Sequence, residues 1–205
     1  MQEIKTISTY KQGLRDIILD SAMKAFAERG IRAVKMDDIA AALSISKRTL
    51  YEIYETKEQL LYEGVREYHE RMTERMNKIS TESDNVMEIM LKVYRLKVEE
   101  FRVTTPAFYS DLVKYPRVLR YLNRENQRTR VKSLRFLARG VDEGFFRDDV
   151  NYELAGRLFD ALGRYVMSQQ LYKQYTIEEI FNNLIFVTFR GLCTPKGIKA
   201  LERFE

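Results

Sequence analysis

Apolar side chains recur along this chain three and four residues apart rather than alternately, the period of a helix face and not of a strand. Leu14, Ile17, Ile18, Ala22, Ala25 and Phe26 make the first such stripe, and Gly30 follows where a helix would close in a left-handed cap. Met36 to Leu43 and Ser46 to Tyr54 read as two short helices separated by Ser44-Ile45. Thr56 and Gln59 match a capping box, which opens a longer helix from about Lys57 towards Ile79. Polar Ser80 to Asn85 breaks the pattern. Helices follow over about Val86 to Val103, and from Pro106, which suits a first helical turn, to a stop before Pro116. A basic helix covers about Arg117 to Val141, Asn151 caps another that runs to about Tyr172, and Thr176 with Glu179 repeats the capping box before a last helix to about Cys193. Nine Gly and three Pro in 205 residues are few interruptions. The expectation is an all-α fold of about nine helices, with no strand and no repeat.

Composition then removes whole classes of chemistry. With 45% hydrophobic and 32% charged residues the chain is an ordinary globular mixture, long enough to bury a core without disulfides or a structural metal. One histidine, His69, and one cysteine, Cys193, leave no disulfide framework, no Cys/His or Ser/His/Asp set, and no metal site built on several such ligands. No enzyme activity, metal or cofactor is expected; an all-helical enzyme stands only as a rival reading. The longest strongly apolar run, Leu184 to Phe189 with Thr188 inside it, is far short of the ~20 residues of a membrane span. The N-terminus also lacks a long apolar h-region. These features point to a cytoplasmic, reduced, soluble protein with no membrane partner.

Charge points towards an anion. Lys+Arg 35 against Asp+Glu 30 gives net +5, enough to make an anionic partner worth seeking. Residues 117–140 hold eight basic side chains and one acidic, whereas residues 1–57 hold ten and eight.

The informative stretch is Met36-Asp-Asp-Ile-Ala-Ala-Ala-Leu-Ser-Ile-Ser-Lys-Arg-Thr-Leu-Tyr-Glu-Ile-Tyr54. Two short helices joined by a tight turn cross steeply when small residues lie between them, and Ala40, Ala41 and Ala42 allow that approach. Ile39, Leu43, Ile45 and Leu50 are spaced to share a core. Ser46 is an N-cap, so the positive helix end and the side chains Lys47, Arg48, Thr49 and Tyr51 project outward together. Insertion into a DNA major groove needs such a helix, with donors on its first turns and hydroxyl and N–H groups placed for phosphates. The bland alternative is an incidental helix corner with solvated charges.

Leu19 to Ala22, Phe26, Gly30, Asp38-Ile39-Ala40, Ser46-Lys47, Thr49-Leu50-Tyr51, Lys57-Glu58 and Leu60-Leu61 together resemble the DNA-binding domain of the tetracycline-repressor-like (TetR) family. The resemblance covers residues 12 to 62; beyond it the likeness is architectural, with Glu143-Gly-Phe-Phe-Arg147 also reminiscent of members. It implies a three-helix helix-turn-helix headpiece over residues 1–57 and a helical ligand-binding and dimerisation domain over 58–205. Carried over by position, Lys47, Arg48 and Tyr51 would face base edges, while Ser46, Thr49, Tyr54 and Lys57 would hold phosphates. Arg can bond guanine in bidentate fashion, although Glu52, one turn on, suits a plain surface pair with Arg48. Two positions depart from the family pattern. Lys35 stands where Ser or Thr usually caps the second helix, with Asp37 and Asp38 in partial compensation, and Ser44 takes the place of a turn glycine at some strain cost.

The family resemblance further implies a homodimer presenting two headpieces to a pseudo-palindromic site in double-stranded DNA. Leu158, Leu162, Phe181, Leu184 and Ile185 on the last two long helices are the candidate dimer interface. Tyr94, Phe101, Phe108, Tyr115, Tyr121 and Tyr165 are candidates for a pocket holding an unidentified small-molecule effector. The implied function is a ligand-responsive transcription regulator of repressor type. The rival is a helical dimer of the same build that acts through a protein partner without reading an operator. Arg117, Arg120, Arg124, Arg128, Lys132, Arg135 and Arg139 form a stripe open to three readings: a solvated face with ion pairs, a site for an anionic effector, or long-range attraction to DNA.

Overall fold

A computed structural model describes residues 2–202, with side chains from residue 12 onward. The described residues contain no strand; one isolated antiparallel bridge joins Phe146 to Cys193. The order is α1 (Gln2–Arg29), α2 (Met36–Ala42), α3 (Lys47–Ile53), α4 (Lys57–Thr81), α5 (Val86–Val103), α6 (Pro106–Leu112), α7 (Pro116–Asp142), α8 (Tyr152–Ser168), α9 (Ile177–Ile180), α10 (Val187–Arg190) and α11 (Pro195–Glu202). A π-wound segment, Phe181–Phe186, joins α9 to α10 into one continuous helical run. The chain forms two compact units, Met1–Met72 with Val103–Leu122 and Thr73–Arg102 with Asn123–Glu205.

The first unit closes around the apolar stripe of α1. Ile18, Leu19, Ala22 and Phe26 pack with Ile31, Val34 and Met36, with Ile39 of α2, with Leu50 and Tyr54 of the α3 region, and with Leu60, Leu61 and Val65 of α4. Gly30 ends α1 at φ +86°, its N–H donating to the Phe26 carbonyl at 2.9 Å. A Cβ there would also stand 2.8 Å from that of Ala107, so both the turn and the close approach require glycine. Beside it the Thr105 N–H donates to the Ala27 carbonyl at 2.8 Å, and the buried Asp111 carboxylate of α6 accepts from the Arg32 N–H at 2.7 Å.

In the second unit Glu143-Gly-Phe-Phe-Arg147 is a structural clasp. Gly144 takes φ +74°, and Glu143 accepts from the Val86 N–H at 2.8 Å and from Arg139 Nε at 2.6 Å. Phe146 is buried edge-to-face on Phe189, ring centres 5.3 Å apart. The Arg147 N–H donates to the Leu192 carbonyl and the Thr194 N–H to the Phe145 carbonyl, both at 2.9 Å. Cys193 is buried here, and burial pushes its thiol up to about 11.

Three elements depart from the periodicity reading. α8 ends at Ser168 rather than near Tyr172, because Gln170 turns left-handed at φ +53° and a short 3₁₀ turn, Leu171–Lys173, follows. The last long helix ends at Arg190, and α11 comes after it unforeseen. Pro195 reads as a stop, yet proline is well suited to the first position of a helix, and the Thr194 hydroxyl accepts from the Gly197 N–H at 3.2 Å to begin one. His69, the single histidine, is half-buried with its ring edge on Tyr121, 5.8 Å between centres.

Candidate nucleic-acid interface

The turn between α2 and α3 is made by a chain reversal that the sequence strains to supply. Ser44 takes φ +54°, its N–H donates to the Ala41 carbonyl at 3.1 Å, and the Ile45 N–H donates to Ala40 at 3.0 Å. This is the paired hydrogen-bond pattern of a glycine-type helix stop with serine in the glycine position, and the left-handed serine costs of order 1 kcal/mol. At the other end of α2, the Lys35 side chain has no acceptor with which to cap the helix. Asp38 instead accepts from the Lys35 N–H at 2.8 Å, the returning half of a capping box.

Helix α3 starts at Ser46, whose hydroxyl accepts from the Thr49 N–H at 3.0 Å and shares a hydrogen bond with the Thr49 hydroxyl at 2.8 Å. Its inner face is fixed by Leu50, fully buried in the first core. Its outer face carries Lys47, Arg48 and Tyr51, all exposed, on the first turns. The Arg48 side chain is 89% exposed and its Nε donates to Glu52 at 2.8 Å. Lys47 pairs with Asp37 across the turn at 2.5 Å. In the DNA-free chain each cation of the outer face is therefore held by a carboxylate, and phosphate or a base edge must displace it.

The residues expected to hold phosphates divide. Ser46 and Thr49 lie at the start of α3 beside the cations, although each hydroxyl already takes part in the cap. Lys57 opens α4, half-buried, with its ammonium 5.7 Å from the Phe26 ring. Burial lowers its pKa, while the negative charges of Asp111 and Asp38 act against that. Thr56 caps α4 by accepting from the Gln59 N–H at 3.1 Å, and Gln59 reaches back to the Glu55 N–H at 3.2 Å.

Tyr54 is a correction. It is fully buried, with the Arg15 guanidinium 5.0 Å from its ring centre, its hydroxyl 3.4 Å from the Arg15 carbonyl, and its phenol pushed up to about 12 by burial. Arg15 also pairs with Glu63. Tyr54 thus holds the end of α3 against α1 and presents no hydroxyl to a phosphate. It ends an apolar series, Leu50 to Tyr54 at i, i+4, which the sequence carried in plain view. Asp111 was not singled out at all, because its partner Arg32 lies 79 residues away.

The other predicted groups are not brought into one place. Phe108, Tyr115 and Tyr121 pack against the core of the first unit. Tyr94 lies against Phe186 and Phe181, 4.7 and 5.6 Å between centres, and Phe101 lies against Phe181 at 6.2 Å, all within the second unit. Tyr165 is exposed on α8. A groove of about 690 Å³ in the second unit, lined by Met87, Phe145, Lys196 and Lys199 among others, includes none of the six. Near Tyr94 and Phe101, Lys97 and Glu100 stand 3.0 Å apart on α5; burial raises the Glu100 carboxyl to about 7 and lowers the Lys97 ammonium. Of the candidate dimer residues, Leu158 is exposed, Leu162, Leu184 and Ile185 are half-buried, and Phe181 turns onto α5 of its own chain.

A capped second helix, set by a tight turn on a first helix and showing bases and hydroxyls outward, defines a helix-turn-helix DNA-binding module. Residues 18–63 match the family described as bacterial regulatory proteins, tetR family. The chain is 28% identical over 192 residues, 90% of its own length and 94% of the relative's, to the HTH-type transcriptional repressor KstR2 of Rhodococcus jostii. It is 29% identical over 149 residues, 70% of its length and 74% of the relative's, to KstR2 of Mycobacterium tuberculosis. The solved structure of that mycobacterial regulator of ketosteroid transcription superposes with a TM-score of 0.60 at 23% identity, covering 88% of this chain and 95% of the other. A transcriptional regulator from Saccharomonospora viridis, solved with choline, gives a TM-score of 0.71 at 20% identity over 89% and 99%. This chain is thus similar to the tetR family over residues 18–63 and to transcriptional repressors over most of its length. It is a DNA-binding transcription regulator.

Proposed function

We propose that the chain is a ligand-responsive repressor that binds a pseudo-palindromic operator as a homodimer in the cytoplasm. In this reading residues 1–57 bind DNA and residues 58–205 bind the effector and the second copy. Lys47, Arg48 and Tyr51 read base edges, and Ser46, Thr49 and Lys57 hold phosphates. The observation that carries it is the split of α3 into a buried anchor, Leu50, and an exposed basic first turn. A single headpiece offers too few contacts for specific binding, which favours two.

Support for the dimer comes from α8. Leu154, Leu158, Ala161 and Tyr165 fall on one stripe and are all exposed, at 65% for Leu154 and 50% for Leu158, and α8 buries no residue in its own chain. A Cβ added at Gly156 or Gly163 would meet nothing within 4 Å. A face this apolar and this open is suited to a second copy of itself. That the related Saccharomonospora viridis regulator was solved with choline supports a small-molecule effector for this chain, acting by favouring a dimer geometry whose headpieces no longer match the operator.

The test is binding to promoter fragments across a salt series, with Arg48→Ala alongside. Steep salt dependence with a sequence preference that the variant relaxes supports the reading. Flat, sequence-blind binding by both proteins overturns operator reading and favours action through a protein partner.

A further inference from the structure

The basic stripe on α7 is not used by a DNA-reading headpiece. Its seven cations, from Arg117 to Arg139, fall three or four apart and share one helix face. Its ends are satisfied inside the chain. The Arg117 guanidinium stacks on the Tyr62 ring at 4.2 Å, and Arg139 donates to Glu143 at 2.6 Å and to the Asp84 carbonyl at 3.2 Å. The middle is different. Arg128 pairs with Glu125 at 2.8 Å, but Arg124, Lys132 and Arg135 are exposed and have no hydrogen-bond or ion-pair partner among the described residues. These residues all belong to the second compact unit.

Like charges one turn apart repel, so an unpaired row weakens the helix that bears it. The plain reading of a face neutralised by acidic neighbours therefore holds at Arg128 and Arg139 and fails at Arg124, Lys132 and Arg135. The form of the row also selects among anions. A small anion is held by donors that converge on one point, as in a walled pocket. Here the cations run parallel along about 16 Å of exposed helix, which matches an anion that repeats along a line. Duplex DNA carries one charge per ~1.7 Å of axis, and this protein binds DNA. We propose that Arg124, Arg128, Lys132 and Arg135 form a second contact surface for the phosphate backbone of duplex DNA. The surface is independent of sequence, captures DNA through counterion release, and raises the rate at which the regulator finds its site.

The inference rests on DNA binding by this chain but not on base reading by α3, and one experiment separates the two. Binding of the full-length protein to a random-sequence duplex is measured across a salt series, with Arg124→Gln/Lys132→Gln/Arg135→Gln, the charge-keeping Arg124→Lys/Arg135→Lys, and Arg48→Ala. The triple variant is expected to flatten the slope of log affinity against log salt by about 2 to 3 and to weaken low-salt binding tenfold or more. Its thermal midpoint should stay level or rise, and its preference for a promoter fragment should survive. The charge-keeping variant should match wild type. Arg48→Ala should lose sequence preference while keeping the contribution of the stripe. An unchanged slope in the triple variant overturns the proposal, as does an equal loss in the charge-keeping variant. Vesicles rich in phosphatidylserine form the last arm: binding to them that depends on the stripe while duplex binding does not also overturns it, and assigns the surface to a membrane.

Discussion

The headpiece and helix α8 use the same helical periodicity to opposite ends. In the first unit the apolar stripes of α1, α2, α3 and α4 meet one another, and Ile18, Phe26, Leu50, Tyr54, Leu60 and Leu61 are fully buried. α8 has an equally regular stripe in Leu154, Leu158, Ala161 and Tyr165, and all of it faces outward. Periodicity shows that a helix has an apolar face; it is silent on whether the same chain covers that face. A region that closes on itself should lose folding stability when its apolar residues are cut. A region left open should lose association instead.

That contrast can be broken most sharply at its two ends. Leu50→Ala should cost about 2 to 5 kcal/mol, read as a lower denaturant midpoint that does not depend on protein concentration, with sequence-specific DNA binding lost alongside. Leu154→Glu/Leu158→Glu should weaken self-association about a hundredfold or more, because the charges would lie unpaired in the interface. Analytical ultracentrifugation reads this, while the helical signal of the separated chains stays intact. Unfolding of that double variant at every concentration would show that α8 is internal core and end the comparison.

Smaller changes probe what the closed region does with its exposed surface. Arg48→Ala should lower discrimination between operator and random duplex roughly tenfold and leave thermal stability nearly unchanged, since its guanidinium is solvated. Asp111→Ala removes the acceptor of the partly buried Arg32 N–H and should cost about 1 kcal/mol, with operator affinity falling too because α6 no longer holds the turn after α1. Asp111→Asn, which still accepts that hydrogen bond, should recover most of the loss. Ser44→Gly should raise stability by about 1 kcal/mol or less by relieving the left-handed turn, measured by thermal or chemical unfolding, with operator preference intact.

Much of the headpiece was legible beforehand, for a local reason. The Ser46 cap, the left-handed Ser44, the Gly30 stop, the capping of α4 and the Arg48–Glu52 pair each depend on residues within five positions of one another, and all are present. Tyr54 was misassigned because its hydroxyl sits in a run of residues expected to face DNA. Only the i, i+4 relation to Leu50 and the fold of α1 over it show that the ring is core. The aromatic side chains beyond the headpiece were the least legible. Their spacing fits both a pocket and a core, and they divide between two units rather than converge.

The helical class, the turn chemistry and the outward face of α3 were legible in the order of residues alone, because each follows from hydrogen bonds and periodicities that close within a few residues. The sequence also located the basic row on α7. Tertiary structure alone decided which charges in that row are cancelled, that Asp111 fastens the loop after α1, that Tyr54 is buried, and that the stripe of α8 stays open. Those outcomes depend on groups brought together from distant parts of the chain, and the strength of a burial or an ion pair is set by what surrounds it in space.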